Sequence, residues 1–532
     1  MKILLIKHPT THFKKTAPPV SGLPLGILSI AAALRDAGHE VSVYDAIVGA
    51  DEKRWGAEGA QGIFRLGATW EEIQRVVAEK RPDAVGISNQ YSSQVHNALL
   101  TARTVKEVNP DIPVIVGGPH ASVMPSTFFE EPGKVDFAVM GEGETTMVEL
   151  ISCLEHKGDP STLDGIAYVE DGLPVLRKSR PLISDLDTIP FPAYDLVDME
   201  RYFYFNKQGK DGRESYRYPG SERSISMITS RGCPFKCIFC SIHLSMGRQY
   251  RAHSVDYVLS HIRHVREEYR VKHIHFEDDN FSFDMERFEK ILDRMLAGRL
   301  DITWDTPNGV RADYLNAAIL QKCKENGCTY LRIGVESANE TVSKKIVKKR
   351  LNISKVKEVA KLCEETGIDL EAFYIIGLPG ETVAQMRDTI DFAVQQEQRR
   401  GLTPYGMFTA TPLIGTELHK ICAERGYLTK ELSAANMATA TQGEGMISTE
   451  DFTPGTLKKL LKDYRRRHLI AKALYSLKFL SKHPRYLMNR LSTPFYLREM
   501  LPLLKKGHII LFLNELLSYR YKNCVVGKVG IP

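Results

Sequence analysis

Apolar and polar positions in the first 180 residues follow two alternating periods. Apolar runs of strand length at 2–8, 40–46, 83–88, 113–118 and 137–140 are separated by stretches with helical apolar spacing at 23–37, 69–80, 93–108 and 145–155. Strands alternating with helices predict a doubly wound parallel sheet covered on both faces. Two short runs at 165–170 and 174–179 read as a hairpin appended to that sheet. A second alternating series starts at Ser224, with strands at 225–229, 273–277, 303–307, 330–335, 371–376 and 405–411. Six strands with intervening helices predict a partial parallel barrel. Ligands on both folds are expected at the carboxyl ends of the strands. Between the two series, Pro190 and Pro192 open a polar, aromatic stretch that reads as an extended linker. From about Thr453 the pattern becomes helical, with breaks near Pro484, Pro494 and Pro502. The chain therefore divides into an α/β domain at 1–185, a linker at 186–222, a barrel at 223–440 and a helical tail at 441–532.

Composition sharpens this division. A 43% hydrophobic and 26% charged chain is an ordinary folded one with ample core. The net charge of +6 is uneven, because residues 451–532 hold 17 Lys and Arg against 4 Asp and Glu, and the rest holds 54 against 61. A basic tail on a mildly acidic body is not a nucleic-acid-binding signature, and no reading motif accompanies it, so no nucleic-acid partner is expected. No run of 18 apolar residues occurs, and the N-terminus lacks a signal-peptide pattern, so a cytoplasmic location is expected. Nine cysteines are an odd number, which argues against a disulfide framework.

Three of those cysteines form a motif. Directly after the first barrel strand, Cys233, Cys237 and Cys240 stand as Cys-x3-Cys-x2-Cys on one loop. Clustered thiolates suit zinc or an iron–sulfur cluster. A structural zinc site takes four ligands, and no fourth Cys or His completes a familiar zinc spacing, although His243 lies three residues on. Three cysteines on a four-iron cluster leave one iron open.

With this spacing, and with Phe239 before the last cysteine, residues 223–440 resemble the radical S-adenosylmethionine (SAM) superfamily, whose fold is a partial (β/α)6 barrel. The resemblance implies a [4Fe–4S] cluster on Cys233, Cys237 and Cys240. It also implies SAM contacts at Phe239, at Asp278 and Asp279 after the second strand, and at Arg311 after the third. Glu336 and Ser337 after the fourth strand and Gly377 after the fifth complete that set. Taken singly, each acidic residue reads equally as a helix N-cap or a solvated charge; at successive strand ends they compose a site.

The N-terminal domain, with PLGILSIAAALRDAGHEV, VGGPHAS and GEGE, resembles the Rossmann-like cobalamin-binding domain of cobalamin-dependent radical SAM proteins. Corrinoid contacts are implied at Ser88, Gly117, Gly118, His120, Gly141 and Gly143. Where cobalamin mutases carry Asp-x-His, this chain has Asp45-Ala46-Ile47. The resemblance thus implies base-off cobalamin with no protein His ligand, and His120 is expected to be a turn residue or to act through a neighbour. The chain is similar to class B radical SAM methyltransferases, which implies methylation of an unactivated carbon through a 5′-deoxyadenosyl radical and methylcobalamin. No acid–base residue is demanded, and none is named. Tyr374, Tyr405 and Phe408 are pocket candidates that read better as core. A non-methylating oxidation or cyclisation, similar to that of the anaerobic magnesium-protoporphyrin ester cyclase, stays open. A cobalamin sensor is a third reading, which has no need of a SAM-type cluster. Expected partners are a small-molecule or lipid substrate and an electron donor such as flavodoxin or ferredoxin. RRRH at 465–468 beside apolar faces suggests either a helical cap on the barrel or peripheral contact with an anionic membrane.

Overall fold

In the computed structural model, which describes residues 1–12, 22–50, 56–58, 63–131, 133–207, 222–432, 436 and 445–482, both alternating series form parallel sheets. The first comprises β1 (Lys2–Lys7), β2 (Glu40–Asp45), β3 (Ala84–Ser88), β4 (Val114–Gly117) and β5 (Phe137–Val139). They pair in parallel in the order β2-β1-β3-β4-β5. β6 (Ile166–Glu170) and β7 (Leu173–Leu176) continue the same sheet antiparallel beyond β5, so the hairpin is integral to the sheet and not an appendage. The chain leaves β1 to opposite sides for β2 and β3, and that reversal opens a crevice at the carboxyl ends.

Both faces of this sheet are buried, which is why its strands read as continuous apolar runs. Leu4, Ile6, Val85, Ile87, Val114 and Val116 face helices Trp70–Lys80 and Val95–Val108. Ile3, Leu5, Ile115 and Val139 face helices Leu25–Asp36 and Gly143–Glu155. A small antiparallel sheet of Thr10–His12, Ile63–Leu66 and Gly56–Glu58 was not foreseen.

The second sheet comprises β8 (Ser224–Met227), β9 (His273–Phe276), β10 (Thr303–Val310), β11 (Cys328–Glu336), β12 (Asp369–Ile376) and β13 (Thr403–Thr409). All neighbours are parallel and follow chain order, the arrangement a partial (β/α)6 barrel requires. One face carries Ile225, Ile274, Phe276, Trp304, Leu331, Ile333, Ala372 and Tyr374, which join the helices in a single core. Tyr374 is thus core, while Tyr405 and Phe408 on β13 are half exposed. Alternate positions on the other face are polar: Ser226, His273, His275, Asp305, Arg332 and Glu371.

The stretch between the sheets is packed along much of its length. Phe191 stacks on His261 at 4.6 Å. Helix Met199–Lys207 places Tyr202 so that its hydroxyl donates to Asp45 at 2.6 Å, and it buries Phe203 in the barrel core. The last described helix, Pro454–Lys482, runs along helix Val383–Arg400. It is held by buried Leu457, Leu460, Leu461 and Tyr464, by Arg467 on Asp391 at 2.6 Å, and by His468 on Glu397. Among the described residues no helix is long and apolar enough to cross a membrane. The helix breaks expected near Pro484, Pro494 and Pro502 lie outside the described residues.

Candidate functional site

The three-cysteine loop begins just beyond β8, where Ser230–Arg231 pairs antiparallel with Arg251–Ala252. Gly232 then turns at φ +81°, and a Cβ there would stand 2.3 Å from the Gln249 carbonyl oxygen, so the turn requires glycine. The loop is tied to the barrel by Ile238 N–H on the Val347 carbonyl and by Leu418 N–H on the Ile238 carbonyl. Cys233, Cys237 and Cys240 are all half-buried. Burial pushes their thiols up, Cys240 to about 11, while Lys349 draws Cys233 and Cys237 back. A metal bound there would displace a proton from each sulfur.

Among the described residues, one His/Cys/Asp/Glu group has its donor atoms all within 4.8 Å, and it is His273, His275 and Asp305. The His–Asp group lies on β9 and β10 and is linked by hydrogen bonds. His273 Nε2 and His275 Nδ1 each meet Asp305 at 2.8 Å, and His273 Nδ1 meets Thr303 Oγ1 at 2.8 Å. Burial alone would raise Asp305, but the two imidazoles hold it well below the usual carboxylate range.

The two aspartates after β9 have different duties. Asp278 is fully buried and accepts from Thr229 Oγ1 at 2.7 Å, from the Thr229 N–H at 3.2 Å and from the Ser230 hydroxyl, so it braces the start of the cysteine loop. Asp279 accepts the Gly232 N–H at 3.1 Å, and burial raises its carboxyl to about 6. Glu336 ends β11 in the left-handed region at φ +60°, a strained conformation for a non-glycine residue, and takes a 2.9 Å contact from Lys349. Arg311 lies over the Phe235 ring at 4.1 Å, and its charge and those of Glu336 and Lys349 all act on the Cys237 thiol. These groups therefore converge on the cysteine loop.

Ser337 is set back from them, its hydroxyl 3.0 Å from that of Thr389. Phe239 packs partly against the barrel core. Gly377, at φ +84°, is closed over by Leu457 of helix Pro454–Lys482, whose methyl would stand 2.8 Å from a Cβ. The Gly377 N–H donates to Glu381 at 2.8 Å and that of Leu378 at 3.1 Å. Glu381, raised to about 7 by burial, holds this loop. Sequence reasoning missed it, and its only signal was an acidic residue four positions after the strand-end glycine.

At the N-terminal sheet the exits of β3, β4 and β5 come together. Gly118 turns at φ +105°, and a Cβ would stand 2.6 Å from the carbonyl oxygen of Asn89, the residue after Ser88. Gly117 accepts the Asn89 N–H at 2.8 Å. Gly141, at φ +74°, donates its N–H to Ser122 at 2.9 Å and has open space where a Cβ would sit, whereas Gly143 packs against Ile30. His120 is buried, its Nδ1 2.8 Å from Ser92 Oγ, and burial lowers it to about 4, so the ring is neutral. Both amide atoms of Asn89 and Nε2 of His120 are buried without a hydrogen-bond partner among the described residues. Such groups are costly unless a ligand satisfies them, and an amide-fringed corrinoid is a ligand of that chemistry. Asp45 turns back on its own loop, accepting from the Ile47 N–H at 2.8 Å and from Lys7 at 2.9 Å.

The two sets of loops touch directly. Arg231, two residues before Cys233, is paired with Glu142 at 2.9 Å and Glu144 at 2.6 Å, on either side of Gly143.

Comparison with known proteins agrees with this geometry. Residues 17–151 match the B12 binding domain and residues 227–393 the radical SAM superfamily. The chain is 30% identical over 492 residues to an uncharacterized methyltransferase of Pyrococcus horikoshii, covering 92% of this chain and 97% of that one. It is 28% identical over 483 residues to the cytidylyl-2-hydroxyethylphosphonate methyltransferase of Streptomyces wedmorensis, covering 85% and 87%. The fold is that of the cobalamin-dependent radical enzyme OxsB, solved with aqua-cobalamin and S-adenosylmethionine, at TM-score 0.63 and 17% identity over 99% of this chain and 80% of that one. It is also that of TsrM from Kitasatospora setae, solved with cobalamin and a [4Fe-4S] cluster, at TM-score 0.61 and 17% identity over 81% and 79%. With a B12-binding sheet joined to a three-cysteine barrel, and a relative aligned along nearly its whole length, the chain belongs to the cobalamin-dependent radical SAM enzyme family.

Proposed function

We propose that this enzyme methylates a carbon atom, with cobalamin at the exits of β3, β4 and β5 and SAM beside a [4Fe–4S] cluster on Cys233, Cys237 and Cys240. The observation that carries this reading is the direct contact of the two loop sets through Arg231, which brings both cofactor positions to one interface. When bound, these groups supply a reductively formed radical and a transferable methyl group. The chain's own work is to hold and align them. Cys233, Cys237 and Cys240 would hold the cluster, and Asp278 fixes the start of the loop that carries them. Asp279, Arg311 and Glu336, grouped at the cysteine loop, would meet SAM, with Phe239 beside Cys240, and the buried Ser337 and Gly377 would support that site from behind. Ser88, Gly117, Gly118, His120, Gly141 and Gly143 line the corrinoid side. No imidazole follows Asp45, which supports a base-off corrinoid without a protein His ligand.

Half-exposed Tyr405 and Phe408, 6.5 Å apart on the edge strand β13, offer an apolar surface, which favours a substrate with an apolar portion. Helix Pro454–Lys482 turns a two-part face outward. Lys458, Lys459, Lys462, Arg465 and Arg466 come first, followed by exposed Leu469, Ile470, Leu474 and Leu477. That face supports peripheral contact with an anionic membrane. Flotation of full-length protein with anionic vesicles tests it: binding should fall at least tenfold in I470E/L474E, and equal binding discards it.

The reaction is tested by anaerobic turnover with a reducing flavodoxin or ferredoxin and a pool of candidate substrates. Methylation gives S-adenosylhomocysteine together with 5′-deoxyadenosine. Deoxyadenosine alone, with cobalamin bound, would replace methylation by oxidation or cyclisation. The 26% identity over 346 residues with the anaerobic magnesium-protoporphyrin IX monomethyl ester cyclase of Rubrivivax gelatinosus keeps that second reading in view.

A further inference from the structure

The contact between the two loop sets is a four-member ionic network. Arg231 spans two carboxylates, Nη1 donating to Glu142 Oε1 at 2.9 Å and Nη2 to Glu144 Oε1 at 2.6 Å. Arg251 places a second cation on Glu142, at 2.8 and 2.9 Å, and also donates to the Ile183 carbonyl at 2.6 Å. Ser29, from the helix that follows β1, donates to Glu144 at 2.8 Å, and the Ile183 N–H donates to Glu142 at 2.7 Å. The four charged side chains are 2–13% exposed, so water competes little for them. Two cations facing two anions leave the spot near neutral. Burial by itself would raise Glu144, but the Arg231 charge, together with the hydrogen bonds from Arg231, the backbone N–H and Ser29, outweighs it and holds the carboxyl below its ordinary range.

Each end of the network is rigidly joined to a cofactor loop. On the barrel side, Arg231 sits in the two-residue pairing with Arg251–Ala252, and the constrained Gly232 turn delivers the chain straight to Cys233. On the other side, Gly141 is pinned by Ser122, and Glu144 opens helix Gly143–Glu155. A displacement of either loop must break charge pairs in a buried place, where an unpaired ion is strongly disfavoured.

We infer that Arg231, Glu142, Glu144 and Arg251 form an inter-domain latch that fixes the exit loops of the N-terminal sheet over the cysteine loop. They act as positioning residues that set the separation of the corrinoid and the cluster. The inference rests on the proposed function for what occupies the loops, but the coupling of the loops to each other does not. It gives the two glutamates of the GEGE run, Glu142 and Glu144, an alignment role.

The test uses holoenzyme with R231M, E142Q/E144Q and R231K. Hydrogen exchange is followed in peptides covering 139–146 and 228–234, and pulsed EPR reads the distance between cob(II)alamin and the reduced cluster. In R231M and E142Q/E144Q, exchange should rise at least tenfold in both loops, including the unmutated one, and the distance distribution should at least double in width at wild-type iron and cobalamin content. R231K keeps the charge but has no fork to span two carboxylates, so it should fall between. Exchange rising only in the mutated loop, or a distance distribution as narrow as wild type, overturns the latch. If R231M fails to fold, R231K and E142Q/E144Q carry the same readouts. Wild-type protein that retains no cobalamin would sink the functional reading alone, because the exchange arm still reads the latch.

Discussion

The chain holds two trios of cysteine thiols, and only one of them is fit to be a ligand set. Cys233, Cys237 and Cys240 lie on a single loop, half-buried, with Lys349 close enough to act on two of them. Cys323, Cys328 and Cys363 come from helix Ala317–Glu325, β11 and helix Ile353–Thr366, and meet inside the barrel's apolar core. They too feel one another electrostatically, but burial drives their thiols far above the ordinary range. Proximity is common to both trios. Access and a loop that can present sulfur outward belong to one. Burial makes a cysteine a small apolar filler, and partial exposure on a constrained loop makes it a ligand.

The largest expected effect breaks or confirms that contrast outright. C233S, C237S and C240S should each abolish cluster loading, with reductive SAM cleavage falling by more than about 10³-fold, the loss of an essential cofactor. C323S or C363S should load iron as wild type does, measured by iron content and absorbance after anaerobic reconstitution. The next effect is kinetic. In the cluster-free folded protein, iodoacetamide should label the loop trio roughly 100-fold faster than the core trio, because access and thiolate character govern the rate. Mass spectrometry of tryptic peptides reads the ratio, and equal labelling would mean that the core trio is open.

A third prediction extends the comparison to a buried group on a loop. Glu381 is as buried as the core cysteines, yet two backbone N–H groups hold it at the exit of β12. Burial raises it from 4.5 to about 7 in the folded chain. Its contribution to stability is therefore fully present below about pH 4.5 and is lost as pH rises through about 7. Between pH 5 and pH 8 that loss is about 2–3 kcal/mol. E381Q keeps an acceptor for the Gly377 and Leu378 N–H groups and cannot ionise. Its unfolding free energy relative to wild type should therefore rise by that amount over the same interval in urea titrations. A pH-independent difference would show that Glu381 stays charged in the folded chain.

Much of the molecule was legible in the sequence because two regular signals coincide. Apolar runs separated by helical spacing located both parallel sheets, since β1, β3 and β4 are buried on both faces. The cysteine loop was legible because Cys233, Cys237 and Cys240 lie within eight residues. What escaped was long-range. Nothing local says that Arg231 meets Glu142 and Glu144, some 90 residues away, or that Asp278 serves Thr229 while its neighbour Asp279 faces Gly232. The short strands Thr10–His12 and Gly56–Glu58 carry too few residues for a period to register. Helix Met199–Lys207 hid in a stretch whose prolines and aromatics read as extended chain.

The smallest effect concerns what the core trio does instead of binding metal. If Cys323, Cys328 and Cys363 are filler, each Cys→Ala change removes one sulfur's worth of packing and leaves a small cavity. That should cost about 1–2 kcal/mol apiece by the usual penalty for deleting a buried atom group. Because the three touch a common space, the triple variant should depart from the sum of the singles, less costly if the walls collapse inward. The same change at Cys237 or Cys240 in cluster-free protein should cost under about 1 kcal/mol, since a half-exposed sulfur has less packing to lose. Urea unfolding of the five single variants measures both sides. Equal costs at loop and core would mean that the loop sulfurs also serve packing, and the separation of ligand from filler would then be one of degree.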